Sequence, residues 1–115
     1  MATPKQNPAK QKKGTAELLI LAQLEAKSLH GYEICQRISD KTGGVIDFNV
    51  ASLYPILYSL ERRGFLTGKW VEKAGQRRRR YYRITAKGRK ALAAERESWR
   101  EFIDAVQRAA GIGYA

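Results

Sequence analysis

Residues 65–85 read Phe65-Leu66-Thr67-Gly68-Lys69-Trp70-Val71-Glu72-Lys73-Ala74-Gly75-Gln76-Arg77-Arg78-Arg79-Arg80-Tyr81-Tyr82-Arg83-Ile84-Thr85. β-branched and aromatic residues, which suit a pleated, half-buried surface, gather in two runs, Phe65 to Lys73 and Arg79 to Thr85. Ala74-Gly75-Gln76-Arg77 between them has the composition of a hairpin loop. The stretch therefore predicts a two-stranded antiparallel hairpin with four consecutive arginines at one side of its turn.

That hairpin is the centre of a basic block. The 115 residues hold 22 Lys+Arg against 11 Asp+Glu, a net charge of +11. Residues 69–90 carry ten basic side chains and Glu72 alone, and residues 1–16 carry Lys5, Lys10, Lys12 and Lys13 with no acid. The rest of the chain is close to neutral. A localised block is the footprint expected for a polyanionic partner, since neutralising phosphates releases condensed counterions.

Working upstream, Leu53, Ile56, Leu57 and Leu60 recur at helical spacing and predict a helix to Arg63, closed by Gly64. Pro55 suits only a helix start, so Ser52 is favoured over Asn49 as its cap. Tyr32, Ile34, Cys35 and Ile38 predict an earlier helix ending before Gly43-Gly44, preceded by His30 as a capping or packing residue. Val45 to Phe48 reads as a very short strand. Leu18 to Leu24 is apolar on every side, so a first helix there needs covering on both faces, one of them by a second chain. Downstream, Ala86 to about Ala110 contains no proline, and Leu92, Trp99 and Val106 recur every seven residues with Phe102, Ile103 and Ala110 beside them. That predicts one long amphipathic helix.

Three helices, a hairpin and a long helix make an α+β, mainly α, fold: a winged helix-turn-helix with a two-stranded β wing and a C-terminal dimerisation helix. The expected organisation is a disordered basic arm over 1–14, a winged-helix DNA-binding domain over 15–85, the dimerisation helix over 86–110 and a flexible tail over 111–115.

Several motifs point to one family. His30-Gly31-Tyr32-Glu33-Ile34, Leu53-Tyr54-Pro55-Ile56-Leu57 with Leu60-Glu61 and Gly64-Phe65-Leu66, and Arg79-Arg80-Tyr81-Tyr82-Arg83-Ile84-Thr85 followed by Lys87-Gly88-Arg89 resemble the PadR family of bacterial transcription regulators. The motifs span about Leu18 to Arg89, and the single helix after the wing resembles the short-chain members. The lysine-bearing arm and the four-arginine run depart from that pattern. The resemblance implies a homodimeric winged-helix repressor whose last helix exchanges contacts with its partner. Some members bind planar or apolar effectors at or near the dimer interface.

The candidate DNA contacts follow from the faces. On the third helix Ser52, Tyr54, Pro55, Tyr58 and Arg62 lie on or towards the side opposite the leucines, with Tyr54 at the boundary of the core. Tyrosine hydroxyls can bond phosphates there, and apolar atoms can meet thymine methyls. On the wing Lys69, Lys73, Gln76, Arg77, Arg78, Arg79, Arg80 and Arg83 are candidates. Strand alternation turns about half of them towards a duplex. Gln76 and Arg77 are placed at the tip, where an arginine can enter a narrow minor groove.

Leu18, Leu21, Leu92, Trp99, Phe102, Ile103 and Val106 are the expected dimer interface. Trp99 either fills its core or offers a flat face to a small aromatic or apolar effector. No cofactor or metal is expected. The single histidine and single cysteine, without a phosphate-cradling loop or a HExxH or GxSxG motif, argue against an enzyme. Cys35, on the apolar side with Ile34 and Ile38, reads as an inert buried thiol. No apolar run approaches the roughly 20 residues of a membrane span, and a cytoplasmic protein is expected. The reading is a sequence-specific repressor on a pseudo-palindromic operator. The alternative is a winged-helix nucleic-acid-binding or architectural protein without operator specificity.

Overall fold

The computed structural model describes residues 14–113. In chain order the elements are α1 (Thr15–Gln23), β1 (Leu29–His30), α2 (Gly31–Lys41), α3 (Val50–Arg62), β2 (Leu66–Val71), β3 (Arg79–Ile84) and α4 (Ala86–Ala110). The lysines of the expected basic arm lie outside the described residues, as do the last two residues of the expected tail.

The predicted hairpin is present. β2 and β3 pair antiparallel with Leu66 opposite Ile84 and Trp70 opposite Arg80. β1 adds a short third strand on the far edge of β3, giving the order β1-β3-β2. The sequence marks that strand only as the punctuation before α2, because two residues are too few for a period-2 pattern. Ser28 fixes the approach to it, its hydroxyl donating to the Tyr82 carbonyl at 3.0 Å.

Val45 to Phe48 is a loop, not the short strand expected, and Val45 is 85% exposed. The Thr42 hydroxyl accepts the Ile46 N–H at 3.0 Å and donates to the Ile38 carbonyl at 2.9 Å. The Thr42 side chain thus takes up the Ile46 N–H, which a ladder would have used.

Ile20, Leu24, Ile34, Ile38, Leu53, Leu57 and Leu60 of the three helices close over Leu29, Leu66 and Tyr82 of the sheet, all essentially inaccessible. α4 enters this core at its base. Thr85 caps it, its Oγ1 accepting the Gly88 N–H at 3.0 Å and donating to the Gly64 carbonyl at 2.7 Å. Gly88 itself sits where any Cβ would run into the Phe65 carbonyl oxygen and Ile84. Only glycine lets α4 approach the start of β2 this closely.

Leu21 and Leu92 need correction as interface residues: at 2% and 1% exposed they are spent inside this chain's own core. The Leu18–Leu24 stretch is apolar all round because α2, α3 and α4 all pack on α1, and within that stretch only Leu18, Leu19 and Ala22 keep part of their surface.

Candidate nucleic-acid interface

α3 begins three residues earlier than expected. Asn49 is its cap, the side chain accepting the Ala51 N–H at 2.8 Å, while Ser52 sits inside the first turn and donates its hydroxyl to the Asn49 carbonyl at 2.8 Å. Pro55 therefore lies in the helix body and leaves the Ala51 carbonyl without its usual donor. Both residues are exposed, so water can take that role. Ser52, Pro55, Tyr58 and Arg62 form one exposed face. Tyr54 is half-buried against the core, its ring close to Gly31, and it stacks on Tyr58 with centroids 6.1 Å apart and planes at 19°. It thus belongs partly to the core and partly to the face, holding the Tyr58 ring in place.

The wing separates its cations by face. Leu66, Gly68 and Trp70 share the helix side of the sheet with Ile84, Tyr82 and Arg80. Arg80, expected to reach a phosphate, is already engaged: its Nη2 donates to Glu61 Oε2 at 2.5 Å, and its guanidinium lies 5.6 Å from the Trp70 ring centre and 5.7 Å from that of Tyr82. The same Glu61 oxygen accepts the Gly68 N–H at 3.3 Å. A carboxylate at the end of α3 thereby fastens the wing to the helix. Gly68 admits the guanidinium, since a Cβ there would fall 2.6–2.7 Å from it. Glu61 was missed as a site residue. Its signal was present: it is the one acid between residues 48 and 71, facing a strand glycine that marks a close approach.

On the other side of the sheet Lys69, Arg79 and Arg83 are exposed, with Tyr81 between them. Lys73 lies 5.9 Å from the Tyr81 ring centre, and His30 meets the same ring edge-on at 5.2 Å. His30 also caps α2 in a reciprocal pair: its Nδ1 accepts the Glu33 N–H at 3.4 Å, and its own N–H donates to Glu33 Oε1 at 3.1 Å. Burial holds the imidazole below its usual pKa, opposed by Glu33 and reinforced by the charges of Arg79 and Lys73. Burial pushes the Tyr82 hydroxyl up to about 12 and raises Cys35. Both stay protonated at neutral pH. The hairpin turn closes on Gln76 N–H to the Lys73 carbonyl at 2.9 Å, with Gly75 at φ 72°. Gln76 and Arg77 therefore follow the turn and stand exposed, while Arg78 folds back to 4.6 Å from the Trp70 ring centre.

The remaining candidates lie along the second half of α4. Trp99 and Phe102 are half-buried and pack edge-to-face with centroids 5.9 Å apart. Ile103 and Val106 are 47% and 36% exposed. Leu18 and Ile103 border a shallow recess of about 500 Å³ beside Trp99. Arg96, paired with Glu25 at 2.9 Å, ties this helix to the end of α1.

The sequence profile of the transcriptional regulator PadR-like family matches residues 20–94, from the middle of α1 to the base of α4. The chain belongs to the PadR-like family. Its members are transcription regulators, not enzymes, and the winged-helix architecture is theirs. An uncharacterized protein of Lysinibacillus sphaericus is 30% identical over 89 residues, 77% of this chain and 82% of its own. Among solved structures, a transcriptional regulator from Clostridium thermocellum superposes with a TM-score of 0.78 at 27% identity, covering 90% of this chain and 97% of the other. Bacillus subtilis PadR in complex with operator DNA superposes at 0.62 with 24% identity, over 68% of this chain and 44% of that one, a likeness of fold. No described helix of this PadR-like chain is long and apolar enough to cross a membrane.

Proposed function

We propose that this PadR-like regulator is a cytoplasmic homodimeric repressor that binds a pseudo-palindromic DNA operator, one half-site per protomer. The observation that carries the reading is the exposed Ser52–Pro55–Tyr58–Arg62 face of α3 flanked by a wing whose Arg77 and Arg79 have no ion-pair partner among the described residues. α3 supplies base and phosphate contacts in the major groove, and the wing supplies the salt-dependent attraction. The operator-bound state of the Bacillus subtilis relative supports a duplex as the target.

Dimerisation is assigned to Leu18, Trp99, Phe102, Ile103 and Val106, which line one contiguous, part-exposed apolar stripe, the kind of surface that marks an interaction site. Two recognition helices must then sit about 34 Å apart to enter successive grooves. Trp99 fills the centre of that seam. A second role for it, as the platform for a small aromatic or apolar effector, is favoured by the recess of about 500 Å³ beside it.

The test is selection of a binding site from random duplexes, followed by competition. A repressor prefers its selected, inverted-repeat site by about 10³-fold or more over random duplex. An architectural protein would show no such preference, and failure to enrich any repeat would overturn the proposal.

A further inference from the structure

The side of the sheet that faces away from α3 holds a recess of about 780 Å³, larger than the one beside Trp99. Its walls come from the α1–β1 connection, β2, β3 and the first turns of α4. Five cations line it, Lys27, Lys69, Lys73, Arg83 and Arg89, and no carboxylate does. Lys27, Lys69 and Arg83 have no ion-pair partner among the described residues. Arg89 donates to the Glu25 carbonyl at 3.1 Å, and the Glu25 carboxylate is held in two bonds by Arg96. The Glu25 carboxylate is therefore already neutralised, and Glu72, between the lining residues Val71 and Lys73, is not itself part of the lining. The apolar part of its floor is made by Val71 and Tyr81, which share the Lys69–Arg83 side of the sheet.

Like charges around a concave, partly apolar surface repel one another unless an anion joins them. The volume lies within the range of pockets that take small organic ligands. Arginine and lysine together favour phosphate, the first through its planar fork and the second as a compact point charge. We propose that this recess binds an organic phosphate of nucleotide size, its phosphates on Lys69, Arg83 and their neighbours and its ring system on the Tyr81–Val71 floor. The site lies on the side of the sheet away from α3, the side that also carries Arg79. Occupancy would cancel part of the wing's positive potential and loosen DNA, a consequence that rests on the proposed DNA binding, whereas the site itself does not.

The experiment is calorimetric titration of the full chain with ATP and GTP, without DNA, at physiological salt. Inorganic tripolyphosphate serves as the probe without a ring system. Saturable binding of one nucleotide per chain is expected, with tripolyphosphate at least tenfold weaker. The Lys69→Ala/Arg83→Ala variant should bind at least tenfold more weakly, and the Arg77→Ala/Arg78→Ala variant, which removes the same charge from the wing end, within twofold of the parent. Absence of saturable nucleotide binding, equal losses in both variants, or equal affinity for tripolyphosphate would each overturn the site. So would a Lys69→Ala/Arg83→Ala variant that keeps nucleotide affinity and loses only duplex affinity, which would make the recess a second seat for the DNA backbone. Loss of operator preference in the parent with nucleotide binding intact would instead overturn the DNA reading alone.

Discussion

Leu92 and Val106 lie about four turns apart on α4, yet one is 1% exposed and the other 36%. The first turns of the helix are enclosed by the winged-helix core, with Gly88 against Phe65 and Leu92 beneath α1. The later turns carry Trp99 and Phe102, half-buried, and Ile103 and Val106, exposed, on a face beside Leu18. One helix thus serves two purposes. Its base completes the closed core of this chain, and its extension leaves Ile103 and Val106 exposed. Similar hydrophobic periodicity in the two halves has different consequences, because packing depends on what stands opposite each position.

The largest effect should come from the closed region. Leu57 is fully buried, so Leu57→Ala is expected to cost about 2–5 kcal/mol in urea unfolding, from lost transfer energy and the cavity left behind. A cost under 1 kcal/mol would mean that the core is less closed than described. The open region should respond differently. Ile103→Asp with Val106→Asp is expected to leave helical content intact and weaken dimerisation about 100-fold, equivalent to about 2.8 kcal/mol, by analytical ultracentrifugation. A dimer of unchanged affinity would place the interface elsewhere.

The Glu61–Arg80 link sharpens the comparison at the junction of α3 and the wing. Glu61→Gln keeps the shape and removes the charge. The expected loss is about 1 kcal/mol of stability, together with a reduced preference for the selected operator as the wing gains freedom. Unchanged operator preference would reduce the link to a local surface contact. Arg77→Ala with Arg78→Ala, beyond the junction, should cost no more than about 1 kcal/mol in unfolding, the worth of the exposed Arg78–Trp70 contact. If both reach phosphates, the slope of log affinity against log salt becomes shallower by about 2. A parent-like slope would move the phosphate contacts off the wing end.

The smallest effect concerns His30. Its folded pKa lies below the ordinary value because burial, Arg79 and Lys73 disfavour the charged ring. Stability from the neutral imidazole is therefore present above the unfolded pKa of about 6.5 and is lost as pH falls through the folded value. The melting temperature should decline on acidification from pH 7 to 5, and His30→Asn, which can still cap α2, should flatten that part of the profile. An identical decline in the variant would assign it to other groups.

The sequence by itself determined the order of the four helices and the two wing strands and the location of charge. Helical spacing, a turn-rich break between two β-prone runs and a proline-free C-terminal stretch are local properties, and local chemistry is enough to establish them. Where neighbours distant in sequence decide, the pattern was silent or misread. Pro55 suggested a cap at Ser52, but the core contacts of Leu53 and Leu57 hold the helix together and Asn49 opens it. Leu21 and Leu92 looked like interface because the periodicity of an apolar face does not say whose surface covers it. Strand alternation divided the wing cations between two faces, yet only the tertiary structure set Arg80 against Glu61 and left Lys69 and Arg83 on the side without a carboxylate partner. A strand alternates its side chains by local geometry, but which face meets a helix, a carboxylate or open water depends on what the fold brings alongside.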